Sequence, residues 1–319
     1  MSALRSAAWV VLGAVVWGAL CPGASARAEP GAPIPAAATK PVAAAATKPA
    51  AYVAKKPTPD TQVQKTAAER GVNPCDTPDP GFGIYDKWQG GIGMGQFIMP
   101  KHGGITPKGE FDVMVHFHGH EPVRKEWVQV MDGAVLVGID LGIGSGAYET
   151  AFQAPDVFPR LIAAVEAAVA KKTGRKTAHA RHIGLSSWSA GYGAVQWILG
   201  QDYAKQHVDT VILLDGLHCG YVGPAINGLQ IAMFTDFAKR AAAGETLMFV
   251  SHSSIIPPGY ASTTETADYL IHECGGKPHD VHGTGPLGMD MISRFSKGNF
   301  HVRGFSGNDK MDHLSLIHI

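Results

Sequence analysis

Between about Pro80 and His313 the sequence repeats one unit: a short run of Val, Ile, Leu or Phe, then a stretch whose apolar residues recur with helical spacing. The runs at 111–117, 134–140, 182–187, 208–215, 246–251 and 299–305 are near-continuously apolar. A strand reads that way when both faces of its sheet are covered. Helical patterns lie between them at 123–131, 156–172, 191–205, 229–243 and 264–274. The alternation predicts an α/β fold with a mostly parallel central sheet and helices on both faces. Helix-end residues agree: Asp156 and Pro159 open the second helix, and Lys171, Lys172 and Gly174 close it. The Gly-rich segment 88–100, with alternating Ile, Met and Phe, reads as one or two antiparallel edge strands ahead of the parallel series. One folded domain is expected, over 72–313.

The two ends read differently. Residues 1–28 have the layout of a secretory signal: Arg5, an apolar stretch from Ala8 to Leu20, and Ala26-Arg27-Ala28 as a small-x-small cleavage site. Bulky Leu20 before Cys21 argues against acylation of that cysteine. From Glu29 to Gly71 the chain is dominated by Ala, Pro, Lys and Thr, with Ala-Ala-Ala-Thr-Lys-Pro at 36–41 repeated at 44–49. Such a composition buries too little apolar surface to order itself, so 29–71 is expected to be a disordered linker. A secreted or periplasmic location follows, and the linker also allows association with the cell envelope. Cys75, Cys219 and Cys274 remain after cleavage, enough for one disulfide and one thiol, with the pairing left open. The last six residues, 314–319, match an in-frame translation of a library-preparation adapter and are expected to be non-native, so that the fold lacks its closing C-terminal helix. A formal net charge of zero gives no basic field for nucleic acid.

In open sheets of this kind ligands bind beyond the carboxyl ends of the strands. The runs end in His116-Phe-His-Gly-His120, in Asp140, in a small-residue turn around Ser189, and in Asp215-Gly-Leu-His218. His313 follows the last run. The segment 183–195 is the most specific of these. A serine on a sharp strand-to-helix turn exposes its hydroxyl near helix N-terminal amides, and Ser187, Ala190, Gly191 and Gly193 supply the small residues that such a turn needs. The Gly turn after Asp140 lacks the glycine spacing and the downstream acid of a dinucleotide site, so it is read as part of a pocket rim. No cofactor is expected.

Together, the strand, the His-Gly pair, the serine turn, the strand ending in Asp and the final His resemble the α/β-hydrolase family over about 88–313. The resemblance implies a secreted carboxylesterase- or lipase-like serine hydrolase acting on a small-molecule or lipid-like acyl substrate through an acyl-enzyme. It implies Ser189 as nucleophile, His313 as general base and Asp215 as the orienting acid, with oxyanion donors from Ala190 and from the Gly119–His120 loop. Family members more often carry the acid after the next-to-last strand, where Glu265 is the nearest candidate, although Ser262-Thr-Thr-Glu265 also has capping-box spacing. His301 and His282 are alternative bases. Two other functions stay open: a metal-dependent hydrolase using His116 and His118 with Asp140 or Asp215, and a non-catalytic, envelope-associated binding protein on the same scaffold.

Overall fold

The computed structural model describes residues 52–57, 65–130, 132–307 and 309–318. These belong to one compact unit, Ala50–Ile319. The segment read as a signal sequence, Cys21 and most of the segment read as a linker lie outside the described residues. Within the stretch read as linker, Tyr52 stacks on His272 and donates to Asp268 (2.6 Å), and Ala54 and Ala67 are buried. Among the described residues no helix is long and apolar enough to cross a membrane.

Among the described residues a 3-10 turn (Gly83–Asp86) precedes β1 (Gly90–Gly91), β2 (Gln96–Ile98), β3 (Glu110–Phe117), α1 (His120–Val130) and β4 (Ala134–Ile139). It continues with α2 (Ser145–Phe152), α3 (Val157–Lys172), β5 (His179–Trp188), a 3-10 turn (Ser189–Gly191), α4 (Tyr192–Leu199), α5 (Asp202–His207) and β6 (Val208–Leu214). A small hairpin, β7 (Tyr221–Val222) and β8 (Ala225–Ile226), precedes α6 (Ala232–Ala242), β9 (Leu247–Ser253) and α7 (Thr263–Glu273). The last elements are β10 (His279–Thr284), β11 (Asp290–Lys297), β12 (Phe300–Phe305) and α8 (Lys310–Ser315). The main sheet has ten strands in the order β1-β2-β4-β3-β5-β6-β9-β12-β11-β10. Its centre, β4-β3-β5-β6-β9-β12, is parallel throughout. The pair β1–β2 is the expected antiparallel edge. This is the mostly parallel α/β architecture anticipated from the apolar runs.

Both sheet faces are covered, and the strand alternation shows how. Val113, Val115, Val137, Leu185, Val211 and Val250 point into a large core shared with α3, α4, α6 and α7. Met114, Leu136 and Leu214 point the other way, into a smaller cluster with Val123 and Val128 of α1 and with Ile317. That alternation is why each run had to be apolar on both sides.

Several elements differ from expectation. The helix expected over 191–205 is two, because Gly200 ends α4 and Gln201 takes an extended ψ of 146°. Helix α2 occupies what was read as only a pocket rim. Strands β10 and β11 extend the far edge, and β10 is almost wholly exposed. A short helix, α8, follows the last strand where none was expected, started by the Asp309 side chain accepting from the N–H groups of Met311 and Asp312. Residues 314–317 pack inward, with Leu316 and Ile317 buried, and His318 meets Glu126 at 2.8 Å. Cys75, Cys219 and Cys274 are all free thiols.

Candidate active site

From β3 the chain crosses to β4 on one side and then returns to β5 on the other, so the strand order reverses at β3/β5. Such a switch point opens a crevice at the carboxyl ends. The His116–His120 loop leaves β3 there, and the Ser189 turn leaves β5 there.

Backbone strain concentrates at this spot. Among the described residues four non-glycine residues have positive φ, and three of them are His118 (70°), Ser189 (47°) and Asp215 (46°). Each conformation costs about 1–3 kcal/mol and persists only where the surroundings enforce it. The enforcement is steric. A Cβ on Gly191 would collide with the Phe117 carbonyl oxygen, so the turn lies directly against the end of β3. A Cβ on Gly216 would lie 2.8 Å from the Ser189 nitrogen and collide with the Ser189 carbonyl oxygen, so the β6 turn lies against the β5 turn. Of the small residues flagged in the sequence, Gly191 and Gly193 are required by close backbone approach, a Cβ on Gly193 standing 2.8 Å from the Ser145 carbonyl oxygen.

Asp215 is buried and fully hydrogen-bonded. Its Oδ1 accepts from the Ser253 N–H (2.7 Å) and the Thr263 hydroxyl (2.6 Å), and its Oδ2 meets Nδ1 of His313 at 2.7 Å. Burial alone would push this carboxyl up. The hydrogen bond and charge of His313, with the bonds from Thr263 and Ser253, outweigh burial and hold it down to about 2. His313 also stacks on Trp188, with ring centroids 4.8 Å apart, and its carbonyl oxygen accepts from the Trp188 indole N–H at 3.1 Å. The structure thus joins His313 to Asp215 directly and to Ser189 through the adjacent Trp188. Half-buried Ser189 stands at the start of the 3-10 turn with Ala190 next to it.

The loop after β3 is pinned by Asp140. Its carboxylate accepts from the N–H groups of Gly119 (3.1 Å) and Gly142 (3.0 Å) and from the Tyr148 hydroxyl (3.2 Å), and meets Nδ1 of His120 at 3.3 Å. The Gly119 N–H, expected as an oxyanion donor, is therefore committed elsewhere. The metal site of the alternative reading does not assemble among the described residues. In His116, Nδ1 meets the Ser186 hydroxyl (3.0 Å) and Nε2 meets the His118 carbonyl (2.7 Å), and burial draws its titration down to about 3. Neither ring nitrogen is open to a ligand.

The alternatives are placed apart from this cluster. Glu265 closes the capping box at the start of α7, bonding the N–H and hydroxyl of Ser262 (2.9 and 2.8 Å), and takes the Tyr221 hydroxyl at 2.9 Å. His301, second in β12, lies at the opposite end of the sheet and meets Ser296 at 2.9 Å. His282 is on the exposed edge strand β10. Sequence reasoning missed Thr263, Ser253 and the role of Trp188. Thr263 could have been suspected only as a hydroxyl just inside a helix start. Trp188 and His313 are 125 positions apart, and no local pattern links them.

Neither a family model nor a curated protein sequence matches the chain. Among solved structures the chain is similar to the LpqC poly(3-hydroxybutyrate) depolymerase of Bordetella parapertussis. That match has 12% identity and a TM-score of 0.40, covering 70% of this chain and 80% of that one. It is also similar to the acylaminoacyl peptidase of Pyrococcus horikoshii, at 14% identity and a TM-score of 0.34, covering 57% of this chain and 33% of that one.

Proposed function

We propose that this protein is an exported serine hydrolase that cleaves an ester or related acyl bond through Ser189, His313 and Asp215. The observation that carries the reading is the convergence of a buried Asp215–His313 pair with a serine held at φ 47° on the neighbouring turn. With Nδ1–H donated to Asp215, the imidazole keeps Nε2 as an acceptor for the Ser189 proton. Ser189 Oγ would then attack the acyl carbon, and the N–H groups of Ala190 and His120 would stabilise the developing oxyanion. His313 would protonate the leaving group, and water activated by the same imidazole would release the acyl group in a second half-reaction.

The substrate class follows from the same chemistry: an ester, thioester or amide with an uncharged acyl carbon. Tyr192, just after the serine turn, favours an apolar or aromatic group. Export rests on residues 1–28. Hydrolysis of short- and long-chain p-nitrophenyl esters by the wild type, abolished in Ser189→Ala, is the expected result. A wild type as inert as Ser189→Ala towards every chain length would favour the binding-protein reading.

A further inference from the structure

We infer that Trp188 is a positioning residue for His313, tying the base and the nucleophile into one rigid unit. Its consequence for catalysis rests on the serine-hydrolase reading, whereas the contact itself does not. Trp188 is the last residue of β5 and the one immediately before Ser189, so its backbone is fixed by the same ladder that fixes the serine, pairing with Leu214 of β6. Its side chain reaches the base in two independent ways. The indole N–H donates to the His313 carbonyl oxygen at 3.1 Å, which fixes the α8 backbone. The indole ring stacks on the imidazole at 4.8 Å with an interplanar angle of 29°, which fixes the ring.

The indole is itself immobilised. It is 8% exposed and packs with Met114, Leu136, Leu214 and Ile317. His118 stacks on it at 5.0 Å and 4°. Gly119 at φ 73° supplies the space, since a Cβ there would stand 3.0 Å from indole Cε3 and 2.6 Å from Ile317 Cδ1. His313 belongs to a helix of only six residues, with its imidazole tied to Asp215 at one point. One point leaves the imidazole free to swing about that bond, and Trp188 removes this freedom. When His313 takes up the serine proton, the imidazolium also faces an aromatic ring, an attraction absent in the neutral state. Displacing a catalytic group by about 1 Å costs roughly a hundredfold in rate, so the base needs this second anchor.

The test uses Trp188→Phe, which keeps a stacking ring but removes the N–H, and Trp188→Leu, which removes both. Kinetics with p-nitrophenyl esters should show kcat reduced about tenfold in the Phe variant and about a hundredfold in the Leu variant, with KM nearly unchanged. Partial rescue by Phe at matched folded fraction separates positioning from packing. The second arm needs no activity. In the Ser189→Ala background, the downfield proton resonance of the His313 Nδ1–H facing Asp215 should be sharp, remain in Trp188→Phe, and broaden or vanish in Trp188→Leu. A folded Leu variant with wild-type kcat, or one in which that resonance is unchanged, overturns the inference. If the wild type hydrolyses nothing, the function reading fails and the resonance arm alone decides the role of Trp188.

Discussion

Replacing Asp215 by Asn keeps the shape of the side chain and removes its charge, and the surroundings dictate what the amide must do. Two donors, the Ser253 N–H and the Thr263 hydroxyl, converge on Oδ1, so the amide oxygen is drawn to that position. The amide NH2 then faces His313 Nδ1, which must become an acceptor. The proton moves to Nε2, and an imidazole protonated there cannot take the serine proton. The opposite amide orientation restores the productive tautomer but sets NH2 against the buried Ser253 N–H, at a cost of about 1–3 kcal/mol. That difference leaves between about a sixth and less than a hundredth of the molecules competent. Loss of the negative charge opposite the imidazolium removes more, so kcat should fall about 10³- to 10⁴-fold, equivalent to about 4–5.5 kcal/mol. The assay is p-nitrophenyl ester hydrolysis at pH 8, with circular dichroism and thermal melting to confirm folding. An Asp215→Asn enzyme within tenfold of wild type, beside a collapsed Glu265→Gln, would refute the reasoning and move the acid to Glu265.

Four other outcomes follow from the same geometry. Glu265→Gln should leave kcat unchanged and lower stability by about 1 kcal/mol or less, the scale of a helix cap, as read by urea unfolding. Gly191→Ala should destabilise by about 1–3 kcal/mol or more: Gly191 already has helical φ of −62°, so the added methyl is penalised only by its collision with Phe117, and an unchanged urea midpoint would contradict this. Buried His116 and His252 are drawn down to about 3 and about 4, against about 6.5 in the unfolded chain. Between pH 6.5 and 4 the unfolded state therefore binds more protons, and stability should fall on acidification by up to about 1.4 kcal/mol per pH unit for each group. Asp215, depressed to about 2, adds its own loss from about pH 4 downward, and His252→Gln should flatten the upper slope by about one proton. Finally, EDTA should leave activity intact, because both nitrogens of His116 are already engaged within the protein.

What could be read from the sequence divides along physical lines. The six parallel strands were legible because burial on both faces forces an unbroken apolar run, as in Ala134–Ile139. Strand β10, His-Asp-Val-His-Gly-Thr, was not, because five of its six residues are exposed and the edge of a sheet places no demand on side chains. Helix α2 was hidden by its glycine-rich start at Gly144 and its short length. At the site, Ser189 was visible because close backbone approach demands small neighbours in a row. Asp215 and His313 could be ranked by their order after strands, but their 2.7 Å contact could not be read from a pair 98 positions apart. The commitment of the Gly119 N–H was invisible for the same reason: a glycine in a loop says nothing of which carboxylate its amide meets.

The central claim is that Ser189 is an activated nucleophile. A fluorophosphonate probe, followed by proteolysis and mass spectrometry, tests it whatever the natural substrate is. Covalent addition at Ser189, displacing fluoride, lost in Ser189→Ala and strongly slowed in His313→Ala, is the predicted result. An unlabelled Ser189 in folded protein, or labelling that persists undiminished in Ser189→Ala, would contradict it.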